Sequence, residues 1–169
     1  MFTLQAITAA ICTHWRDAAP GEVVTVYPGT MLGTEQLSEW YELDINELKV
    51  LNRRDADPEE SRVKLRLRCF VRPGTATARV LQLAEQARTA FTEQDVLIDT
   101  GESGAGALTG WIRFDAGTLR DFSRDDRDHR RVPLRHLEWS WTGSVWASYV
   151  VSLTSSEASD EESLWSSEE

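Results

Sequence analysis

The chain has few of the residues from which enzymes and metal proteins are built. Its 169 residues include two cysteines, Cys12 and Cys69, and three histidines, His14, His129 and His136. None falls into a CxxC, an HExxH or another ligand spacing, so no metal site and no cofactor are expected. Cys12 lies in an apolar helix pattern and Cys69 on the apolar side of a strand pattern. Both read as buried thiols, and a disulfide framework is not expected, which fits a reducing cytosol. No apolar run approaches the roughly 18 residues of a membrane helix. The opening Met1-Phe2-Thr3-Leu4-Gln5 has no basic and no strongly apolar region, so no secretory leader is expected. The stretch Gly101-Glu102-Ser103-Gly104-Ala105-Gly106 lacks a following Lys-Ser/Thr and leads into a strand pattern. It reads as a loop rather than a phosphate cradle. No internal repeat is visible.

Positive charge is also scarce, with 18 Lys and Arg against 28 Asp and Glu, a net charge of -10 and a pI near 4.8. That balance argues against a dedicated nucleic-acid binder. A hydrophobic content of 41% and a charged content of 27% are ordinary for a soluble globular chain. The length suits about one domain, assigned to residues 1–153.

Against this acidic background stands one basic ladder. From Arg62 to Arg72, Val63, Leu65, Leu67, Cys69 and Val71 alternate with Arg62, Lys64, Arg66, Arg68 and Arg72, interrupted only by Phe70. Period two predicts a strand with a core face and a charged face. Residues 37–45 alternate as well. Leu37, Tyr41, Leu43 and Ile45 share one side, and Trp40, Glu42 and Asp44 the other, which sets acids opposite the ladder.

Residues 3–17 read as a helix capped by Thr3, with Ile7, Ile11 and Trp15 on one stripe beside Leu4 and Ala10, stopped by Pro20-Gly21. A short strand over 22–27 follows, then a turn at Pro28-Gly29-Thr30. Residues 46–61 read as a polar connection with one helical turn near 48–51. After Pro73-Gly74, Thr75 or Thr77 caps a second helix carrying Ala76, Val80, Leu83, Ala84, Ala87 and Phe91 on one face. Strands are predicted over 95–99 and 110–114, separated by a loop. Residues 119–131 form a mixed-charge excursion. A hairpin follows, with His136, Glu138 and Ser140 alternating against Leu137, Trp139 and Trp141, a turn at Thr142-Gly143 and a return over 145–153. Residues 154–169 hold six acids and no base and read as a disordered tail; without those acids the formal -10 becomes -4. The order predicts an α+β fold, a two-layer sandwich of a mostly antiparallel sheet flanked by two main helices.

No catalytic residue emerges. Asp125, Asp126, Asp128 and His129 are interleaved with Arg124, Arg127, Arg130 and Arg131, which reads as a solvated loop or an inter-subunit salt-bridge segment. Of seven tryptophans, Trp15 and Trp111 read as core. Trp139 and Trp141, with Trp146 joining across the turn, read as core under a helix or as an anchor for a partner. The ladder has three readings: solvated face, polyanion contact or oligomer interface. Only Phe70 shares its face, which is sparse for stacking bases. The candidate interface residues are Lys64, Arg66, Arg68, Arg124, Arg127, Arg130, Arg131 and Trp146.

The strand ending in Phe70-Val71-Arg72-Pro73-Gly74-Thr75 runs into the Ala-rich helix ATARVLQLAEQARTAF. A short strand, a loop and the closing HLEWSWTGSVWASYVVSL follow. In this order of elements, over about residues 1–153, the chain resembles the tail-terminator (tail-completion) proteins of long-tailed bacteriophages. The resemblance implies an antiparallel sheet flanked by helices and a virion location at the tail–neck junction after synthesis in the host cytoplasm. The implied partners are further copies in a homohexameric ring, the major tail-tube protein and a neck or head-completion protein, with DNA passing transiently through the ring and no membrane. It implies no activity as an enzyme. The excursion 119–131 and the acidic tail 154–169 match no motif of that family. The competing readings are another neck component, such as a stopper protein, and a nucleic-acid-binding module using strand 62–72.

Overall fold

The computed structural model describes residues 2–51, 60–72, 77–99, 108–123 and 135–149. Helix α1 (Leu4–Ala18) begins where expected. Thr3 is extended, and its Oγ1 accepts the Ala6 N–H at 3.1 Å, meeting one of the donors that a helix start leaves open. The predicted stripe of Ile7, Ile11 and Trp15 is buried. The helix closes at Ala19, whose N–H donates to the Trp15 carbonyl at 2.7 Å just before Pro20. Helix α2 (Thr77–Phe91) buries Val80, Leu83, Ala84, Ala87 and Phe91.

Among the described residues seven strands form one sheet: β1 (Val24–Val26), β2 (Glu39–Leu51), β3 (Glu60–Val71), β4 (Asp95–Asp99), β5 (Leu108–Phe114), β6 (Thr118–Asp121) and β7 (Arg135–Tyr149). Their order is β1-β2-β3-β7-β5-β4, with β6 also on β7. Only β1–β2 is parallel, so the fold is α+β with a mixed, mainly antiparallel sheet. One face, called inner here, carries the odd residues of β3 and β7 and packs with both helices in one apolar cluster. Val63, Leu65, Leu67, Cys69 and Val71 are all fully buried there, as the alternation predicts.

Polar atoms of the large inner side chains find partners. Trp139 Nε1–H donates to the Ala84 carbonyl of α2 at 2.8 Å, and Trp141 Nε1–H to Thr92 Oγ1 at 3.2 Å. Trp15 Nε1–H donates to Thr25 Oγ1 of β1 at 3.0 Å. These bonds let indoles fill the space between sheet and helices without orphaning a donor.

Several expectations are corrected. The predicted hairpin at Thr142-Gly143 is a single strand, β7, running through both residues. Leu137, Trp139, Trp141, Gly143 and Val145 keep one parity, so nothing reverses the chain. Gly143 is there for packing, because a Cβ would lie 2.6 Å from Ile112 Cγ2 and 2.9 Å from Phe114. The helical turn near 48–51 is absent, and β2 continues to Leu51. Ile45 pairs with Leu65 but Glu47 with Lys64, which makes Asn46 a one-residue bulge. The bulge inverts the parity, so a period-two reading ends at Ile45 although the strand does not. Leu37 precedes β2 and packs against Trp40 and Phe70 on the outer face instead of joining Tyr41.

A second bulge joins β5 to β6. Phe114 pairs with Gly143 and Thr118 with Ser140, so Asp115, Ala116 and Gly117 oppose two residues of β7. Asp115 Oδ1 accepts the N–H groups of Gly117 (3.0 Å) and Thr142 (3.1 Å). Gly117 has φ +72°, and a Cβ would lie 2.4 Å from the Trp141 indole, so glycine is required twice over.

Candidate functional site

The outer face of the sheet gathers the even residues of β3 and β7, and three zones run across it. The first is aromatic. Trp40 stacks on Phe70 (4.8 Å, 9°), Phe70 on His136 (4.3 Å, 23°) and His136 on Phe122 (5.4 Å, 30°). Arg72 lies over Trp40 at 5.7 Å and donates to the carbonyls of Leu37 and Thr34, holding that segment over the stack. Trp40 and Phe70 are only 1% and 2% exposed, so these rings form a second small core and offer no platform for bases. Along β3 Phe70 stands alone on this face, because the other rings arrive from elsewhere: Trp40 from β2, His136 from β7 and Phe122 from just past β6.

The second zone is ionic. Arg68 Nε donates to Glu138 Oε2 at 3.0 Å, and its Nη1 lies 3.4 Å from Glu42 Oε2. Arg66 lies 3.5 Å from Asp44 and 4.0 Å from Glu138. Lys64 and Lys49 both reach Glu47 at 2.7 Å. Burial pulls the Arg68 pKa down, but Glu138 and Glu42 together outweigh it and the net shift is upward. Glu47 is held below the usual carboxylate range by hydrogen bonds from Lys49 and Lys64. Four cations therefore meet four carboxylates. The predicted interface residues Lys64, Arg66 and Arg68 do come together, each against acids of its own chain. Glu42 and Asp44 were legible as partners. Glu138 was missed, although its alternation with Trp139 already placed it on this face.

The third zone is apolar and exposed. Leu97 pairs with Trp111, and Trp111 with Trp146, across β4, β5 and β7. Their exposures are 69%, 41% and 46%. Both expectations for these tryptophans are corrected. Trp111 is not core, and Trp146 does not join Trp139 and Trp141, because its even number on the uninterrupted β7 turns it to the opposite face.

The predicted interface residues Arg124, Arg127, Arg130 and Arg131 lie outside the described residues, as do Asp125, Asp126, Asp128 and His129, the loop 100–107 and the tail 154–169. Between α1 and α2 an open cleft of about 360 Å³ is lined by His14, Ala18, Glu85, Gln86, Thr89, Ala90 and Gln94. His14 Nε2 lies 2.8 Å from the Ala90 carbonyl, which anchors the ring to α2. Among the described residues no group of three or more His, Cys, Asp or Glu could hold a metal ion, and no helix is long and apolar enough to cross a membrane.

No protein-family model matches the chain, and no curated protein does. A solved structure whose name describes no activity is similar, with a TM-score of 0.60 at 14% identity over 86% of this chain and 97% of that one. At that identity the likeness concerns the fold alone.

Proposed function

We propose that the chain is a virion structural protein of the tail-terminator type, one subunit of a closed ring that caps the tail tube and joins it to the head or neck. The subunit is read as a two-layer α+β sandwich with residues 154–169 as an appended acidic tail. The observation that carries the reading is the pair of unlike sheet edges. Among the described residues β4 ends the sheet on one side. On the other, β1 pairs only with residues 40–42 of the long strand β2. An open strand edge is a template for another chain, and a head-to-tail ring needs two different surfaces on each subunit. β4 also resists pairing with its own copy. Antiparallel self-pairing centred on Leu97 would set Asp95 of each copy against Asp99 of the other, and directly opposed like charges are destabilising.

The remaining parts of the proposal follow from the resemblance: six copies, a tail-tube partner, a neck partner, DNA passing through the bore, and no catalysis. The balanced ion lattice supports a ring that lets DNA slide, because tight binding requires cations free to neutralise phosphates. The same balance weighs against a nucleic-acid module on β3. Light scattering after size exclusion, with negative-stain imaging, tests the reading. A ring of about six times the 19.1 kDa chain mass is expected. A monomer at every concentration that binds no tail tube would overturn it.

A further inference from the structure

We infer that the segment between β1 and β2 is an arm that seats Met31 and Leu32 on the Leu97–Trp111–Trp146 row of the next copy of this chain. The inference deepens the ring reading and rests on it for the head-to-tail neighbour. The arm follows β1 and the row ends on β4, and these two strands close the sheet order on its opposite sides. A subunit that carries one of each can repeat the same contact around a closed ring.

The shape of the row sets what can cover it. Single exposed apolar residues need no explanation, but three in cross-strand register form a continuous patch. Strands lie about 4.8 Å apart, so the row is roughly 10 Å wide. That is the footprint of one or two large side chains, and it is too small to hold a neighbour by itself. Its occupant is therefore a small apolar projection on a partner that makes further contacts elsewhere, which the open sheet edges supply in a ring.

The arm has that form. Thr30 donates its N–H (3.1 Å) and its hydroxyl (2.7 Å) to the Tyr27 carbonyl, beside Gly29 at φ +78°. The Leu37 N–H donates to the Thr34 carbonyl at 3.1 Å. Arg72 clamps the return, its guanidinium donating to the Thr34 and Leu37 carbonyls at 3.0 and 2.7 Å and its N–H to the Ser38 carbonyl at 2.8 Å. With both ends tied, docking the tip costs little ordering entropy. Between the two turns Met31 is fully exposed and Leu32 half-exposed. From Val23 to Thr34 the chain has no charged residue, although 27% of the whole chain is charged. A solvated surface of ordinary composition would carry about three charges over that length. The tip therefore brings no charge to be desolvated over the indoles. A methionine thioether also packs well on aromatic rings, which Trp111 and Trp146 supply.

The test is photo-cross-linking of the full-length chain with Met31 replaced by benzoylphenylalanine, in a mixture of light and heavy isotope-labelled chains, read beside light scattering. The expected result is links between chains to peptides 95–99, 108–114 or 144–149. They should fall several-fold when the partner copies carry Trp111→Ser and Trp146→Ser, whose circular dichroism should be unchanged because both side chains are exposed. The loop variant Met31→Ser, Leu32→Ser leaves the row intact and should raise the concentration needed for assembly about tenfold or more. An assembly of ring mass whose links fall elsewhere, stay within one chain or do not form would overturn the inference and leave the ring reading standing, as would a loop variant that assembles unchanged. A monomer at every concentration would overturn both.

Discussion

Glu138 stands between Arg66 and Arg68 with only 10% of its side chain exposed. A hydrogen bond to a charged group is worth about 1.5–3 kcal/mol, and partial solvent access to Arg68 discounts that. Glu138→Ala should therefore cost about 1–2 kcal/mol in urea unfolding, and Glu138→Gln less. Gly143→Ala forces a Cβ to 2.6 Å from Ile112 Cγ2 and should cost about 1–3 kcal/mol by overpacking, read in the same unfolding curves. Glu39 accepts two hydrogen bonds from Arg79, at 2.8 and 2.7 Å, which hold its carboxyl below the usual range. Its folded pKa is thus lower than its unfolded one. The stabilisation is present above the unfolded value and is lost as pH falls through the folded value. Unfolding free energy measured across acid pH should show that loss, and Arg79→Gln should flatten it. Cys69 is fully buried and Cys12 half-buried, and burial raises both thiol pKa values. Alkylation of the native chain should reach Cys12 slowly and Cys69 only in denaturant, as peptide mass spectrometry would show.

At the scale of elements, β7 organises the molecule. It pairs with β3 on one side and with β6 and β5 in turn on the other. The Asp115–Gly117 bulge lets two strands share that edge, and its glycine makes room for Trp141. The two helices were legible because a 3.6-residue stripe is a local feature, as is the capping Thr3 of α1. β3 was legible because alternation is local too. The ends of β2 and β7 were not. A bulge at Asn46 and a packing glycine at 143 look in sequence like a connection and a turn, and only the facing strand distinguishes them. α2 covers the inner face through Leu83 and its neighbours, so Leu83→Ala should cost about 2–5 kcal/mol in the same assay.

At the scale of the whole molecule, the two faces of the sheet differ in kind. The inner face is a continuous apolar core with the helices. The outer face runs from a closed aromatic stack through a balanced ion lattice to an open apolar row. Asp95 and Asp99 mark the β4 edge with like charge. Changing both to Asn removes the repulsion that discourages two-fold pairing, so light scattering should show dimers gaining at the expense of the proposed ring.

The sequence by itself determined the helices, the parity of β3, the pairing of acids with the basic ladder and the lack of ligand motifs, because each depends on spacing along one segment. Tertiary structure decided that Lys64, Arg66 and Arg68 of the ladder meet acids of their own chain, Arg68 through a carboxylate 70 residues away. It also decided that Trp111 and Trp146 face outward while Trp139 and Trp141 face the core. That choice depends on whether β7 turns at Gly143 or continues. What settles it is the packing of Ile112 and Phe114 from a neighbouring strand, which no local pattern in β7 can report.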